Sequence, residues 1–158
     1  MKIVPNSVKI NKILLTMDGS ESSFRASEYA IHLARVEEAE ILLLHVLENI
    51  RPGGVIGLRA RYGDAKIVRG FLNYSEKVAR HWMEKVEKEA ISNSVKLKAE
   101  IVLDESSKAE EILKYADKNK VDVIILGTRG LTRFKKLISG SVANAVLANS
   151  KCPVLIVK

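Results

Sequence analysis

The chain is poor in the residues that support several classes of protein. Its 158 residues include a single cysteine, Cys152, so an internal disulfide is excluded and a reducing, cytoplasmic location is expected. Its apolar runs, such as residues 41–44 and 154–157, are far shorter than the roughly 20 residues that a membrane span requires. Residues 1–6 lack the apolar segment of a signal peptide. We therefore expect neither a disulfide scaffold nor a membrane protein.

Signatures of catalysis and of metal binding are also scarce. The three histidines, His32, His45 and His81, are dispersed, and no pair of them has the spacing of zinc ligands. No serine lies in a nucleophile elbow, and no paired carboxylates indicate glycoside chemistry. We therefore assign no catalytic residue and no metal ligand.

The composition that remains is typical of one folded domain spanning residues 1–158. Hydrophobic residues make up 47% and charged residues 28%, and a chain of this length can bury a full core. The net charge of +7 is compatible with an anionic ligand, nucleic acid or an anionic surface. Between residues 123 and 158 there are six basic residues and no acidic one, which favours an anion site in that region.

Short apolar runs alternate with longer segments of helical period. The runs predict strands at residues 13–17, 40–46, 96–103, 121–126 and 154–157. The intervening periodicity predicts helices that end near residue 36, span 73–91, begin after Ser106 or Ser107, and span 141–148. This βαβαβαβαβ order predicts an α/β fold, an open five-stranded parallel sheet that is doubly wound, with helices on both faces.

A long connection is predicted at about residues 49–70. It contains several glycines, and five of its residues are basic against one acidic residue, Asp64. Connections of this length are uncommon unless they have a function. Its basic residues could close over a bound anion, contact a partner or form a solvated loop, and the sequence does not choose among them.

Ligands of open α/β sheets bind outside the carboxyl ends of the strands. The predicted strands place residues 16–19, 45–47 and 127–130 at that edge of the sheet. Asp18 at the first of these ends could contact a ligand. It could also cap the first helix, with Glu21 completing a capping box.

The segment GTRGLTRFKKLISGS follows the fourth strand and has the spacing G-x2-G-x9-G-S. Gly127 and Gly130 let a ligand approach the backbone, and Gly140 and Ser141 open a helix whose N–H groups and dipole attract phosphate. The spacing is neither a Walker A loop nor G-x-G-x-x-G. A plain strand-to-helix turn is the alternative interpretation.

With these motifs the chain resembles the universal stress protein family, in the branch that keeps the nucleotide-binding spacing. The resemblance extends from MDGS at residues 17–20, through LHV at 44–46, to the closing string VDVIILGTRGLTRFKKLISGSVANAVLANSKCPVLIVK. It implies the adenine-nucleotide alpha-hydrolase-like fold and a bound ATP, ADP or AMP. Mg²⁺ or Mn²⁺ could accompany the phosphates, held largely by phosphate and water.

The same resemblance implies which residues contact the nucleotide. Thr16 and Asp18 would lie at the ribose, Val46 would offer backbone groups to adenine, and Leu126 would lie near the ring. Five residues would approach the ribose and phosphates through backbone N–H groups and a hydroxyl: Gly127, Gly130, Gly140, Ser141 and Val142. Apart from the resemblance, Arg129 could contact phosphate through its guanidinium. For Arg129 a solvated side chain is the alternative.

Three functions are consistent with these features. The leading prediction is an ATP-binding regulatory or stress-response protein in which occupancy changes conformation or partner binding. The second is a slow ATPase or autophosphorylating phosphotransferase, with Ser141, Thr128 or Asp18 beside the triphosphate. The least supported is a nucleic-acid-binding module, because a lone basic loop is poor evidence for one.

We also expect partners. The final strand, residues 154–158, is apolar and would lie at a sheet edge, which invites pairing with another copy. The resemblance implies a homodimer through this strand. A regulatory protein partner is expected as well, although the sequence does not identify it.

Overall fold

The structure is a computed structural model that describes residues 8–49, 65–128 and 140–158. Within these ranges five strands alternate with four helices: β1 Lys12–Thr16, α1 Glu21–Glu37, β2 Glu40–Leu47, α2 Ala65–Ser92, β3 Leu97–Leu103, α3 Lys108–Asn119, β4 Val123–Gly127, α4 Ser141–Asn149 and β5 Val154–Val157. All strands are parallel, in the order β3-β2-β1-β4-β5. The predicted five-stranded parallel α/β sheet is confirmed.

Strand β1 lies at the centre of the sheet. Leu14 pairs with Leu42 of β2 on one side and with Ile124 of β4 on the other. The chain builds outward from β1 through β2 to β3, then returns to the opposite side of β1 for β4 and β5. The strand order therefore reverses between β1 and β4, where open sheets of this kind form their binding crevice.

Apolar residues cover both faces of the sheet. On one face, Ile13 and Leu15 belong to a core cluster with α1 and α2. On the other face, Leu14 belongs to a second cluster with α3 and α4. All three side chains are fully buried, and each contributes about 1.5–3 kcal/mol by leaving water. Burial on both faces explains why the inner strands β1, β2 and β4 are almost continuously apolar and confirms the doubly wound arrangement.

Helix α2 begins earlier than predicted. The sequence predicts a connection up to residue 70 and a helix from 73, whereas the helix starts at Ala65. Gly70 lies inside it, with no atom within 4 Å of the Cβ that it lacks. An exposed glycine costs a helix only about 1 kcal/mol, so α2 continues through it. The predicted connection is therefore wrong for residues 65–70, and residues 50–64 lie outside the described part of the chain.

The helices of the described ranges are not long and apolar enough to cross a membrane. Other predicted boundaries differ from the observed ones by one or two residues, which is the usual uncertainty at element ends. Ser107 caps α3 as predicted, since its hydroxyl oxygen accepts the Glu110 N–H at 3.2 Å.

Candidate functional site

The candidate site lies at the carboxyl edge of the sheet, where β1 and β4 end side by side. Two helices begin at this edge, α1 after β1 and α4 after β4. The structure brings together here the ends of β1 and β4 and the beginning of α4, which the sequence places far apart. The site is built from two strand-to-helix crossings, one on each side of the switch in strand order.

The first crossing is the turn from β1 to α1. The Met17 N–H donates to the Leu44 carbonyl at 2.9 Å, which ties the end of β1 to β2. Asp18 follows, and its Oδ1 accepts the Ser20 N–H at 3.0 Å. Gly19 has a φ of +79°, a left-handed conformation that favours glycine. Asp18 therefore points one carboxylate oxygen back into its own turn.

The N-cap of α1 is Ser20, so the interpretation of Asp18 as the cap of this helix is wrong. The Ser20 hydroxyl accepts the Ser23 N–H at 3.2 Å, and the Ser23 hydroxyl donates to the Ser20 carbonyl at 2.8 Å. A serine at the N-cap accepts the N–H of the residue three positions ahead. Asp18 lies two residues before the N-cap, and its carboxylate accepts an N–H in the turn that precedes the helix. Asp18 is thus separate from the helix cap and remains a candidate ligand contact.

The end of β4 packs directly on the beginning of α1. A Cβ added at Gly127 would lie 2.6 Å from the Ser22 Oγ and 2.8 Å from the Ser23 backbone nitrogen. No real side chain tolerates such contacts, so glycine is required for packing at this position whatever its role toward a ligand. The end of β4 and the beginning of α1 are therefore in direct van der Waals contact.

The second crossing joins β4 to α4. The Gly140 N–H donates to the Thr128 carbonyl at 2.8 Å, and the Thr128 N–H donates to the Val157 carbonyl at 2.8 Å. A Cβ at Gly140 would lie 2.8 Å from the Thr128 oxygen. The first and last parts of the G-x2-G-x9-G-S spacing therefore meet in space, with Gly140 pressed against the residue that follows Gly127.

Within the part of the chain that the structure describes, helix α4 begins without a side-chain cap. Its N-cap is Gly140, which offers no acceptor, whereas α1 and α3 begin with serines whose hydroxyls accept a backbone N–H. The Ser141 side chain is exposed and that of Val142 is half-buried. The N-terminal N–H groups and dipole of α4 can therefore attract an anion at this edge.

The remaining predicted residues differ in how they could contribute. Val46 and Leu126 are 7% and 3% exposed, and their side chains belong to the core cluster beneath α3 and α4. Any contact by Val46 with a ligand would therefore use its backbone. Thr16 is half-buried and pairs with Leu44 at the end of β1. Arg129 and Gly130 lie outside the described residues.

Two aromatic residues at this edge were not among the predicted ligand contacts, although His45 falls in the range 45–47 that was predicted to lie here. His45 Nδ1 lies 2.7 Å from the Met17 carbonyl, and because a carbonyl only accepts, Nδ1 carries the proton. The Trp82 ring meets the His45 ring edge to face at 5.9 Å and covers Gly19. The available signal was a histidine inside the otherwise apolar run of residues 41–47.

Burial controls the protonation of His45. It lowers the pKa of the imidazole, the hydrogen bond to the Met17 backbone raises it, Lys108 lowers it and Asp18 raises it. The net shift is downward, so at neutral pH the ring is uncharged. The positively charged Lys108 begins α3 near this edge, with its Nζ 3.3 Å from Glu48 Oε2.

Two further features of the described residues bear on where a ligand could bind. Among the described residues no group of three or more His, Cys, Asp or Glu side chains could hold a metal ion. A groove of about 520 Å³ lies between α1 and α2, lined by residues such as Phe24, His32 and Glu89. It runs along the helices of one flank, whereas the crossings lie at the ends of β1 and β4, so the groove is a separate feature.

Comparison with known proteins identifies the family. Residues 9–158 match the universal stress protein family. Universal stress protein MJ0531 of Methanocaldococcus jannaschii is 35% identical over 147 residues, which cover 93% of this chain and 81% of that protein. The solved structure of MJ0577 from the same organism is 31% identical, covers 94% of this chain and 96% of that one, and has a TM-score of 0.78. The chain belongs to the universal stress protein family.

Two further structures share the fold and contain nucleotides. One is a universal stress protein in complex with cAMP, with a TM-score of 0.62 and 22% identity. The other is the Archaeoglobus fulgidus protein in complex with dAMP, with a TM-score of 0.62 and 20% identity. At that identity the likeness to this chain extends to the fold alone.

Proposed function

We propose that this chain binds ATP, or ADP or AMP, at the β1–β4 edge and that occupancy changes its conformation or its affinity for a regulatory partner. The observation that carries the proposal is the uncapped beginning of α4. Its N-cap Gly140 is joined to the Thr128 carbonyl next to Gly127. Backbone donors and a helix dipole at the switch in strand order form a site for phosphate.

The other residues at the carboxyl ends of the strands support a nucleotide that lies with its phosphates at α4. Asp18 and Thr16 end β1 on one side of the crevice, where a ribose would lie between the two crossings. Val46 lies near the carboxyl end of β2, the strand next to β1. Its side chain is buried, and its backbone is close to the carboxyl ends of the strands. The phosphates would then extend toward Gly140 and Ser141. Arg129 and Gly130 complete the proposed set.

A divalent cation fits the site only together with the phosphates. The described residues supply no cluster of three protein ligands, and Asp18 already accepts the Ser20 N–H with one oxygen. Mg²⁺ commonly keeps several waters and takes oxygen ligands from phosphate. We propose that Mg²⁺ or Mn²⁺, where bound, is held by the nucleotide and water.

Isothermal titration with ATP, ADP and AMP, with and without Mg²⁺, tests the proposal. We expect saturable binding that weakens as phosphates are removed, since each phosphate adds contacts at α4. AMP, cAMP and dAMP serve as comparison ligands. Heat-free titrations of the folded protein with every nucleotide would refute the site. Chromatography of the nucleotide after long incubation separates binding from slow hydrolysis.

A charge placed at the beginning of α4 provides the sharpest variant. Ser141→Asp should weaken ATP binding by at least about tenfold, because a carboxylate there repels the phosphates and satisfies the same N–H groups. The fold should remain, since an acidic residue in the first turn stabilises a helix. Ser94→Asp is the matched control. It places an equal charge in the turn before β3, at the amino ends of the strands and away from the proposed site. Equal ATP affinity in the two variants would argue against a phosphate site at α4.

We also propose that two copies pair along β5. This strand lies at a sheet edge, and Leu155 on it is 39% exposed. Leu155→Lys should shift the mass measured by light scattering from dimer to monomer. Leu103→Lys is the matched control, because Leu103 is 40% exposed on β3 at the other edge. A wild-type chain that is monomeric at micromolar concentration would contradict the proposal.

A further inference from the structure

The turn that presents Asp18 is enclosed by two aromatic rings. A Cβ on Gly19 would lie 2.6 Å from Trp82 Cδ2, so the indole rests directly on the glycine backbone. Trp82 comes from α2, the helix that follows the long connection. The conformation of Gly19 and the position of α2 therefore depend on each other.

His45 holds the other side of the same turn. Its Nδ1–H donates to the Met17 carbonyl at 2.7 Å, at the peptide unit immediately before Asp18. The His45 and Trp82 rings also contact each other edge to face, at 5.9 Å and 74°. The Met17 carbonyl and Gly19, on either side of Asp18, are thus contacted by side chains that come from β2 and α2.

This enclosure limits the positions that the Asp18 carboxylate can take. Oδ1 accepts the Ser20 N–H at 3.0 Å within the same turn. A carboxylate has a second oxygen, which can accept a hydroxyl of a ligand. A carboxylate that accepts from a hydroxyl discriminates strongly against a ligand that lacks that hydroxyl.

We propose that His45 and Trp82 are positioning residues that hold Asp18 for recognition of a ribose hydroxyl. The inference rests on the proposed nucleotide site and adds to it the residues that set its preference for ribose over deoxyribose. A purely structural role for the pair would alter stability and overall affinity. Positioning alters the preference between two nucleotides that differ by one hydroxyl.

The experiment compares ATP with 2′-deoxy-ATP and 3′-deoxy-ATP by isothermal titration. Wild-type protein should bind ATP about tenfold or more tightly than one of these analogues. His45→Leu removes the donor to Met17, and Trp82→Leu removes the ring from Gly19. In each variant the ratio of dissociation constants should fall to within about twofold of unity. His45→Asn should restore the ratio, because its side-chain amide N–H can take the place of Nδ1–H.

Intrinsic fluorescence provides a second measurement on the wild-type chain. Trp82 is the single tryptophan of the sequence, so all indole emission reports on Gly19 and its surroundings. ATP should shift this emission more than the discriminated deoxy analogue does. Trp82→Phe keeps an aromatic ring and is available for titration where Trp82→Leu does not fold.

The outcomes separate this inference from the proposed function. ATP binding with no preference for either hydroxyl, or a preference unchanged in His45→Leu and in the Trp82 variants, overturns the positioning role and leaves nucleotide binding intact. A wild-type chain that binds no nucleotide overturns both. A collapsed preference in His45→Leu that His45→Asn restores supports positioning.

Discussion

The two strand-to-helix crossings at the candidate site differ in how the first backbone N–H groups of the helix are satisfied. Between β1 and α1 the chain satisfies its own backbone, because Ser20 caps the helix and Asp18 accepts the Ser20 N–H. Between β4 and α4 the helix begins at Gly140, which has no side chain to offer. One crossing is closed by its own side chains, and the other can accept an external anion.

The two crossings require glycine for different physical reasons. Gly19 is required by its positive φ and by the indole that covers it. Gly140 has an ordinary φ of −63° and is required only by the proximity of the Thr128 carbonyl. We call the crossing from β1 to α1 the closed crossing, and we expect its glycine to tolerate substitution less well than Gly140.

The largest expected effect is at the closed crossing. Gly19→Ala should lower the free energy of unfolding by about 2–5 kcal/mol, because a left-handed alanine costs about 1–2 kcal/mol and overpacking against Trp82 adds about 1–3 kcal/mol. Gly140→Ala, which meets only the overpacking, should cost about 1–3 kcal/mol. Urea unfolding measures both. A larger loss for Gly140→Ala would show that Gly140 tolerates substitution less well than Gly19.

The contact between the two crossings is tested at Gly127. Gly127→Ala should cost about 1–3 kcal/mol, since the new methyl group must displace Ser22 and Ser23 at the beginning of α1. Gly70→Ala is the control with the opposite sign, because the new methyl group meets no atom within 4 Å and alanine favours the helix more than glycine does. It should stabilise the chain by about 0.5–1 kcal/mol. Unchanged stability in Gly127→Ala would mean that α1 moves freely relative to β4.

A smaller effect is expected from the helix caps. Ser20→Ala and Ser107→Ala should each cost about 1 kcal/mol in thermal or urea unfolding, because each removes a hydroxyl that accepts a backbone N–H. Ser107 lies at the beginning of α3, outside the two crossings. Only Ser20→Ala should also weaken ATP binding, through the turn that contains Asp18. The same affinity in both variants would show that the cap of α1 is independent of the site.

The sequence predicted the sheet because each strand carries its own signal. The inner strands β1, β2 and β4 are apolar runs because both their faces are buried, whereas β3 was predicted from its alternation of polar and apolar residues. Both signals are visible without any knowledge of the neighbouring strands. The beginning of α2 was missed for the converse reason. Gly70 indicates a loop by local propensity, whereas the helix tolerates it at a cost of about 1 kcal/mol.

The candidate site was predictable only where its residues form a motif along the chain. Gly127, Gly140 and Ser141 share one spacing, and their approach through Thr128 follows from it. The contacts of Trp82 with Gly19 and of His45 with the Met17 carbonyl join residues from different elements. No local pattern encodes such contacts, since they arise from the packing of α2 against the ends of β1 and β2.

The smallest expected effect is a pH dependence of the closed crossing. The pKa of His45 is lowered chiefly by burial, so the unfolded chain binds the proton more readily than the folded one. The contribution of His45 to stability is therefore complete above the unfolded pKa of 6.5, and it is lost as the pH falls through the lower folded pKa. His45→Asn keeps a donor for Met17 and cannot titrate, so the stability difference between wild type and His45→Asn should shift in favour of the variant below pH 6.5. Urea unfolding across this pH range measures the difference. A constant difference would show that His45 takes up its proton as readily in the folded chain as in the unfolded one, and that the closed crossing admits water.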